Sequence, residues 1–203
     1  MSEDALSPRD APAGVTLPGP GEVVSVNISE RKTVRKPPGT AGTLVFDRGF
    51  KDDAHAGDWH RQVSLLAIES IGTMVAKGLD VGPGDFAENI TTRGIDLLAL
   101  PIGSVFAIGD DAVLEVSQIG KVCHTKCAIY YQAGDCVMPR EGIFGVVREP
   151  GAVRVGDRIK VVSLGDGTCD RTPEEAVREF QEESAKEAAL RERAAQVGFE
   201  TEE

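Results

Sequence analysis

The sequence predicts a mainly β fold with few helices. Short runs rich in β-branched and aromatic residues recur at close spacing, and glycine- and proline-containing turn signals separate them. Many short strands at this spacing favour a barrel or a sandwich over a βαβ architecture. The predicted strands comprise residues 23–28, 43–46, 62–67, 88–92, 104–108, 112–119, 143–147 and 158–162.

One helix interrupts this β pattern at residues 68–77. Ile68, Ile71, Met74 and Val75 recur at helical spacing and are expected to form its apolar face. Gly78 follows directly, and glycine is the favoured residue just past the end of a helix.

The chain divides into three parts by composition. Residues 1–20 are rich in proline and glycine and are expected to form a flexible leader, and residues 21–163 form the predicted domain. Residues 164–203 form an acidic tail, in which Thr172-Pro-Glu-Glu175 has the capping pattern of a helix start. The apolar stripe of this helix is thin, so we predict an appended helix that docks loosely or contacts a partner.

The formal net charge of −11 is concentrated at the ends of the chain. Residues 163–203 contain twelve acidic and five basic residues, whereas residues 21–162 contain eighteen and sixteen. A core without excess positive charge argues against nucleic acid as the main partner. No apolar run approaches the roughly 18–20 residues of a membrane span, and the N-terminus lacks secretory features, so the expected location is cytoplasmic.

Three of the four cysteines lie within fourteen residues, and Cys123 is the candidate reactive thiol among them. It comes shortly after a predicted strand and has Lys121, His124 and Lys126 beside it. Cationic neighbours favour the thiolate, which is the form that attacks electrophiles, carries sulfur or binds a metal. The alternative is a buried structural cysteine, which is common for this residue type.

A metal site built from Cys123, His124, Cys127 and Cys136 is a second interpretation of the cluster. Only the first and third of these residues have the short spacing of a zinc knuckle, so structural zinc is the less favoured alternative. The spacings that an iron–sulfur cluster needs are absent from the sequence.

Polar residues in three other segments suit a binding pocket. Residues 52–62 place two histidines and Arg61 in a glycine-containing loop, which either is solvated or presents these groups to a ligand. Glu88 and Asn89 offer acceptors and donors that suit the edge of a heterocycle. Residues 31–36 hold four cations and form either a solvated charge run or a contact for an anion such as phosphate.

Several blocks of this sequence together resemble a known family. They read DRGFKDDAHAG at residues 47–57, RQVSL at 61–65, GDFAENITTRG at 84–94, QIGKVCHTKCAIYYQAG at 118–134 and CVMPREGIF at 136–144. With Val155-Gly-Asp157 they occur in order between residues 21 and 162, which makes the match more specific than any single motif. On these blocks the chain resembles the MOSC domain, named for the C-terminal domain of molybdenum-cofactor sulfurases.

The resemblance implies a MOSC-type β-barrel that binds molybdenum cofactor and has one signature cysteine, which matches Cys123. The roles proposed for this cysteine in the family are sulfur carriage as a persulfide and direct ligation of molybdenum. The pocket would be lined by His55, Arg61, Glu88, Asn89 and His124. The phosphate of the cofactor would meet Arg93 or the cationic run that ends at Lys36.

The larger sulfurases also have a pyridoxal-phosphate cysteine-desulfurase domain, and 203 residues are too few to include one. Pyridoxal phosphate is therefore not expected, and the sulfur would come from a separate cysteine desulfurase or another sulfur donor. The expected client is a molybdoenzyme or a cofactor-biosynthesis protein.

The sequence thus predicts a carrier or sulfuration factor for molybdenum cofactor, with the catalytic activity of its family. One alternative is a molybdenum-dependent reductase of N-hydroxylated compounds, although such proteins usually have an additional N-terminal β-barrel domain. The other is a non-catalytic interaction module whose acidic helix docks on a partner.

Overall fold

The computed structural model describes residues 17–32, 34–121, 128–174 and 189. Strands dominate this part of the chain, and its helices are short. The strands are β1 (Gly21–Asn27), β2 (Pro38–Gly39), β3 (Ala41–Val45), β4 (Gly49–Phe50), β5 (Val63–Ala67), β6 (Ile90–Arg93), β7 (Val105–Ile108), β8 (Ala112–Ile119), β9 (Ile143–Glu149), β10 (Gly151–Arg154) and β11 (Arg158–Ser163). The helices are α1 (Ile68–Ala76), α2 (Ala128–Ala133) and α3 (Met138–Glu141), and a 3-10 turn covers Leu97–Ala99.

Seven of these strands close into a barrel in the order β1, β6, β5, β9, β8, β7 and β11. The ring closes where Gly21 and Glu22 of β1 pair with Ile159 and Arg158 of β11. β5 and β6 run parallel, and the other neighbours in the ring are antiparallel. Closure gives each strand a hydrogen-bonded neighbour on both sides, which removes exposed sheet edges. The mainly β, barrel-type fold predicted from the sequence is confirmed.

Apolar side chains from the strands of the ring fill the barrel. The alternating burial of β7 and β11 shows that each contributes one face to this interior. Full burial of a large aliphatic or aromatic side chain contributes about 1.5–3 kcal/mol, so this cluster makes a large stabilising contribution. Its fully buried members include Val23, Leu65, Ile90, Phe106, Leu114, Ile143 and Ile159.

The loop of residues 51–62 connects a second, three-stranded sheet, in the order β10, β3, β4, to the barrel. The loop leaves β4 at Phe50, which is completely buried, and enters β5 at Val63. Gly49 has a φ of +108°, and a Cβ there would lie 2.5 Å from the carbonyl oxygen of Gln62. Only glycine permits both this conformation and this approach, so the start and end of the loop stay together.

A second apolar cluster outside the barrel supports the helices. Ile71 and Met74 of α1 pack in it with Ile129 of α2 and Met138 of α3. The predicted helix is confirmed to within one residue, and Gly78 follows it with a φ of +90°. Val75 was expected on the buried face but is 48% exposed, because α1 packs along the edge formed by Ile71 and Met74.

All eight predicted strands are present, with boundaries that differ by at most two residues at each end. The sequence analysis missed β2, β4 and β10, which are two to four residues long, and also α2 and α3. Segments this short do not complete a recognisable period of either two or 3.6 residues, so periodicity cannot find them.

The ends of the chain are described only in part. The predicted domain boundary at residue 163 coincides with the end of β11, but residues 164–172 remain in contact with the barrel. Most of the predicted leader and nearly all of the predicted tail helix lie outside the described residues. Within the described part, no helix has the length and apolar character needed to cross a membrane.

Candidate functional site

The centre of the candidate site is a buried ion pair between Lys36 and Asp53. The Lys36 ammonium donates to both carboxylate oxygens of Asp53, at 3.0 and 2.8 Å, and each side chain is only 1% exposed. The same carboxylate accepts from the backbone N–H groups of Ser29, at 3.2 Å, and of His55, at 2.9 Å. A buried charge requires this degree of pairing and hydrogen bonding to be tolerated. Asp53 therefore holds together three separate segments of the chain.

The electrostatics of the pair follow from burial and from its hydrogen bonds. Burial opposes ionisation of Asp53, but hydrogen bonds from His55 and Lys36 outweigh it and hold the pKa of this carboxyl well below its usual range. Burial lowers the pKa of Lys36, and the Asp53 carboxylate acts in the opposite direction. The charge of Lys121 also lowers the Lys36 pKa, which places the ion pair within electrostatic reach of the segment that leads to Cys123.

Asn89 connects this ion pair to the barrel. Its side-chain amide donates to Asp53 at 3.1 Å and to the carbonyl oxygen of Asn27 at 3.2 Å. Its side-chain oxygen accepts from the backbone N–H and the hydroxyl of Ser64, at 3.1 and 3.0 Å. These four bonds use both donors and both acceptor positions of the amide. Asn89 is thus a positioning residue beneath the loop.

Glu88 is completely closed to solvent and has one oxygen without a hydrogen-bond partner among the described residues. Its Oε1 accepts from the Gly84 N–H at 2.6 Å and from the Thr91 hydroxyl at 2.8 Å, whereas Oε2 is the orphaned atom. Burial raises the pKa of this carboxyl above its ordinary value of 4.5. A buried carboxyl with one unsatisfied oxygen favours the protonated form.

Replacing Glu88 with glutamine is therefore expected to flatten the dependence of stability on pH. The folded protein binds the Glu88 proton more tightly than the unfolded chain does. The contribution of Glu88 to the free energy of unfolding is therefore fully present below pH 4.5 and is lost as pH rises through the higher pKa of the folded state. Glutamine keeps an acceptor for Gly84 and Thr91 and has no titration. Urea unfolding at several values between about pH 5 and 8 checks this. Glu88→Ala serves as the control, since it loses the acceptor and should be destabilised at every pH. If the free energy of unfolding changed with pH by the same amount in the wild type and in Glu88→Gln, the raised pKa assigned to Glu88 would be contradicted.

A cationic and aromatic group lies on the same loop, next to the ion pair. The Arg61 guanidinium carbon is 4.9 Å from the centre of the Trp59 ring and 5.9 Å from that of Phe144. Contacts of this geometry stabilise a cation on the faces of the two rings. The Trp59 indole N–H donates to the carbonyl oxygen of His55 at 2.9 Å, which fixes the turn between them.

His60 links the loop to the end of β8. Its Nε2 lies 2.8 Å from Oε1 of Gln118, and the Gln118 amide donates to the Gly120 carbonyl at 2.7 Å. With the amide held in this orientation, His60 donates through Nε2 and keeps Nδ1 as an acceptor. Burial, followed by the nearby charge of Arg61, lowers the pKa of His60, which favours the neutral ring. Gly120 precedes Cys123 by three residues, so a chain of at most about 10–11 Å separates this anchor from the cysteine.

The structure brings some of the predicted pocket residues together and separates one of them. Lys36, Glu88 and Asn89 are buried beneath the loop, whereas His55 is 30% exposed and Arg61 is half-buried. Arg93 is exposed at the opposite end of β6 from Asn89, about 13 Å away along the strand. Cys123 and His124 lie outside the described residues, as does Cys127 of the proposed zinc site.

The cationic run at residues 31–36 does not act as one unit. Arg35 is exposed and pairs with Asp85 at 3.0 Å, whereas Lys36 points into the protein and pairs with Asp53. Arg31 is exposed. Lys36 was predicted as a phosphate contact, and its ammonium is instead neutralised by a buried carboxylate.

Sequence reasoning missed Asp53 and the polar residues that support it. One signal for them exists in β1, where Ser25 and Asn27 are buried on the face that also carries Thr91 of β6, and Val26 lies on the opposite, apolar face. Asn27 donates to the Thr91 hydroxyl at 3.1 Å, so this polar face belongs to the network. A polar residue at an interior position of a strand is the feature that could have revealed it.

Among the described residues, Glu115, Cys169 and Asp170 form the one group whose geometry could hold a metal ion. Arg148 pairs with Glu115 at 2.8 Å and also with Asp170. The arginine already neutralises this cluster, which is therefore an ion-pair network.

Comparison with known proteins gives one family match. The model of the MOSC domain matches residues 52–160. This range includes Asp53 and the rest of the loop up to residue 62, and it also includes the cysteine segment. No curated protein matches the chain.

Several solved structures are similar in fold. The YuaD protein from Bacillus subtilis has a TM-score of 0.62 at 20% identity, covering 71% of this chain and 97% of that one. YiiM from Geobacillus stearothermophilus has a TM-score of 0.59 at 17% identity, covering 80% of this chain and 98% of that one. YiiM from Escherichia coli has a TM-score of 0.51 at 21% identity, covering 79% and 76%. At these identities the likeness extends to the fold alone.

Proposed function

The chain belongs to the MOSC domain family, and on that premise we propose that it binds molybdenum cofactor and carries sulfur or the cofactor itself through the thiol of Cys123. The observation that carries the proposal is the hydrogen-bonded path from His60 through Gln118 to Gly120. This path connects the cationic, aromatic loop to Gly120, which precedes Cys123 by three residues. A loop built in this way can present a ligand to a thiol on the neighbouring segment.

The accessible residues fit an anionic, planar ligand. Arg61 supplies positive charge on the aromatic face of Trp59, and Lys121 adds a cation on the segment that leads to Cys123. Guanidinium groups suit phosphate, and aromatic rings suit a flat heterocycle. Arg61 and Lys121 would contact the phosphate of the cofactor, and His55 would contact a polar edge. Glu88, Asn89 and Lys36 would support these residues from beneath, because their side chains are closed to solvent. When bound, the cofactor supplies a soft metal centre that accepts sulfur.

The chemistry of this chain's own residues is a thiol exchange. The Cys123 thiolate attacks the terminal sulfur of a donor persulfide, such as that of a cysteine desulfurase. An S–S bond forms at Cys123 while the S–S bond of the donor breaks, and the donor cysteine leaves as a thiolate, so no external oxidant is required. Lys121 favours the attacking thiolate. His60, neutral and with Nδ1 as an acceptor, would be a proton acceptor in this region. A molybdoenzyme or a cofactor-biosynthesis protein would receive the cargo.

The proposal predicts that Cys123 reacts before the other cysteines. Cys136 is buried, and burial raises the pKa of the Cys169 thiol, so both serve as internal controls. At about pH 6.5 a limiting amount of alkylating reagent should label the Cys123 peptide first, as read by peptide mass mapping. Incubation with a cysteine desulfurase and cysteine should then add one sulfur to the same peptide.

Other outcomes would redirect the assignment. Slower labelling of Cys123 than of Cys169 would contradict a reactive thiolate. Turnover of an N-hydroxylated compound by the cofactor-loaded protein would instead favour the reductase alternative. A protein that takes up neither sulfur nor cofactor would favour an interaction module.

A further inference from the structure

The segment that follows the barrel, residues 164–172, runs back over the molecule to the candidate site. Its first part packs on the turn before β7, where Gly165 donates to the Ser104 hydroxyl at 2.9 Å and Gly167 to the Ile102 carbonyl at 3.0 Å. A Cβ at Gly165 would overlap the backbone of residues 102–104, so glycine is required for this close approach. The path of the segment is therefore set by backbone contacts.

The far end of this segment contacts the loop of residues 51–62 through Arg171. The guanidinium pairs with Asp58 of the loop and with Asp47 of the turn before β4. Asp47 also accepts from the Gln62 side-chain amide at 2.8 Å, at the other end of the loop. Arg171 thus connects the segment behind β11 to the loop directly at Asp58 and, through Asp47, to Gln62 at its end. Its two carboxylate partners come from separate parts of the chain, which a planar guanidinium with several donors can bridge.

Thr172 makes a second, independent connection. Its hydroxyl donates to the carbonyl oxygen of Ser117 on β8. The Ser117 hydroxyl in turn donates to the His60 carbonyl and, at 3.2 Å, to that of Phe144. Ser117 precedes Gln118, the residue that holds the His60 ring. The segment therefore contacts the loop directly at Asp58 and indirectly at His60.

We propose that residues 169–172 are a clamp on the candidate site, in which Arg171 and Thr172 are positioning residues for Trp59, His60 and Arg61. The clamp contacts no ligand. It restricts the loop from outside while the Lys36–Asp53 pair anchors it from beneath. The importance of the clamp for binding rests on the proposed function, because that function uses Arg61 and His55. The contacts that define the clamp depend only on the geometry of the protein.

The clamp controls local opening more than overall stability. Asp58 is 80% exposed and Arg171 is 33% exposed, so solvent screens their attraction. Loops of this kind open locally, at a free-energy cost well below that of unfolding the whole domain, and contacts of this kind restrict that opening. Loss of the clamp should therefore change the motion and accessibility of the loop while the barrel remains folded.

The single tryptophan of the chain, Trp59, is a built-in reporter of this loop. In the full-length protein, Arg171→Gln is expected to raise the acrylamide quenching constant of Trp59 fluorescence by about twofold, and to speed hydrogen exchange in peptides from residues 55–62. Thr172→Val, which replaces the hydroxyl with a methyl group of similar size, should act in the same direction. Arg171→Lys keeps the charge but bridges two carboxylates less well, so its quenching should fall between those of the wild type and Arg171→Gln.

The control is Arg154→Gln, which changes an exposed arginine of β10 and should leave quenching and exchange unchanged. High salt should raise quenching in the wild type but have little further effect in Arg171→Gln. The proposal would be overturned if Arg171→Gln and Thr172→Val both showed the same Trp59 quenching and the same hydrogen exchange as the wild type, even if their melting temperatures fell. None of these measurements requires a bound cofactor or a reactive Cys123, so failure of the clamp and failure of the proposed function are distinguishable.

Discussion

Replacing Asp53 with alanine is expected to destabilise the domain by about 3–5 kcal/mol. The change leaves the Lys36 ammonium buried, 1% exposed, without the carboxylate that now neutralises it at 2.8 Å. It also removes the acceptor for the backbone N–H groups of Ser29 and His55. Urea unfolding followed by Trp59 fluorescence measures the loss.

Two further variants make this test specific. Lys36→Met combined with Asp53→Asn removes both charges and keeps one acceptor oxygen for a backbone N–H, so part of the lost stability should return. Arg35→Ala breaks an exposed ion pair with Asp85 and should cost less than about 1 kcal/mol. An Asp53→Ala variant no less stable than Arg35→Ala would show that the ion pair does not anchor the loop.

The same pair sets the response of the protein to acid. The pKa of Asp53 is lowered in the folded state, so its contribution to stability is present above the ordinary value of 3.8 and is lost as pH falls below it. The double variant lacks this titration and should lose less stability in acid than the wild type.

Replacing Cys123 with serine is expected to reduce sulfur loading, and any bound molybdenum, by at least about tenfold. A hydroxyl is a far weaker nucleophile than a thiolate near neutral pH and is a hard ligand for a soft metal. Mass analysis of the peptide that contains residue 123 measures the sulfur, and metal analysis of the purified protein measures molybdenum. The exchange of sulfur for oxygen is nearly isosteric, so the barrel should stay folded.

Cys169→Ser is the matched control for this variant. Cys169 is half-buried beside Arg148 and has a raised pKa, so it should contribute nothing to sulfur or molybdenum loading. Full loading of the Cys123→Ser protein would refute the proposed role of the cysteine. Equal losses in both variants would show that loading is not specific to one thiol.

The sequence by itself determined the barrel class and most of its strands. β8, residues 112–119, was predicted with its observed bounds, because the turn signal Gly109-Asp-Asp111 directly precedes a run rich in aliphatic residues. α1 was predicted to within one residue because Gly78 ends the helix locally. The family resemblance came from ordered blocks of sequence, and the match over residues 52–160 confirms it. These features are encoded in neighbouring residues, so no long-range information is needed to find them.

The tertiary structure alone decided which polar residues form the candidate site. Lys36, Asp53 and Asn89 are far apart in sequence, and nothing local distinguishes a buried lysine from the exposed Arg35 beside it. Closure of the barrel brings β1, β6 and the loop of residues 51–62 together, and low solvent access then makes the ion pair obligatory. The contacts of Arg171 with Asp47 and Asp58 join positions more than 100 residues apart in sequence. Pairing of this kind depends on which surfaces the folded chain brings together, and sequence periodicity does not carry that information.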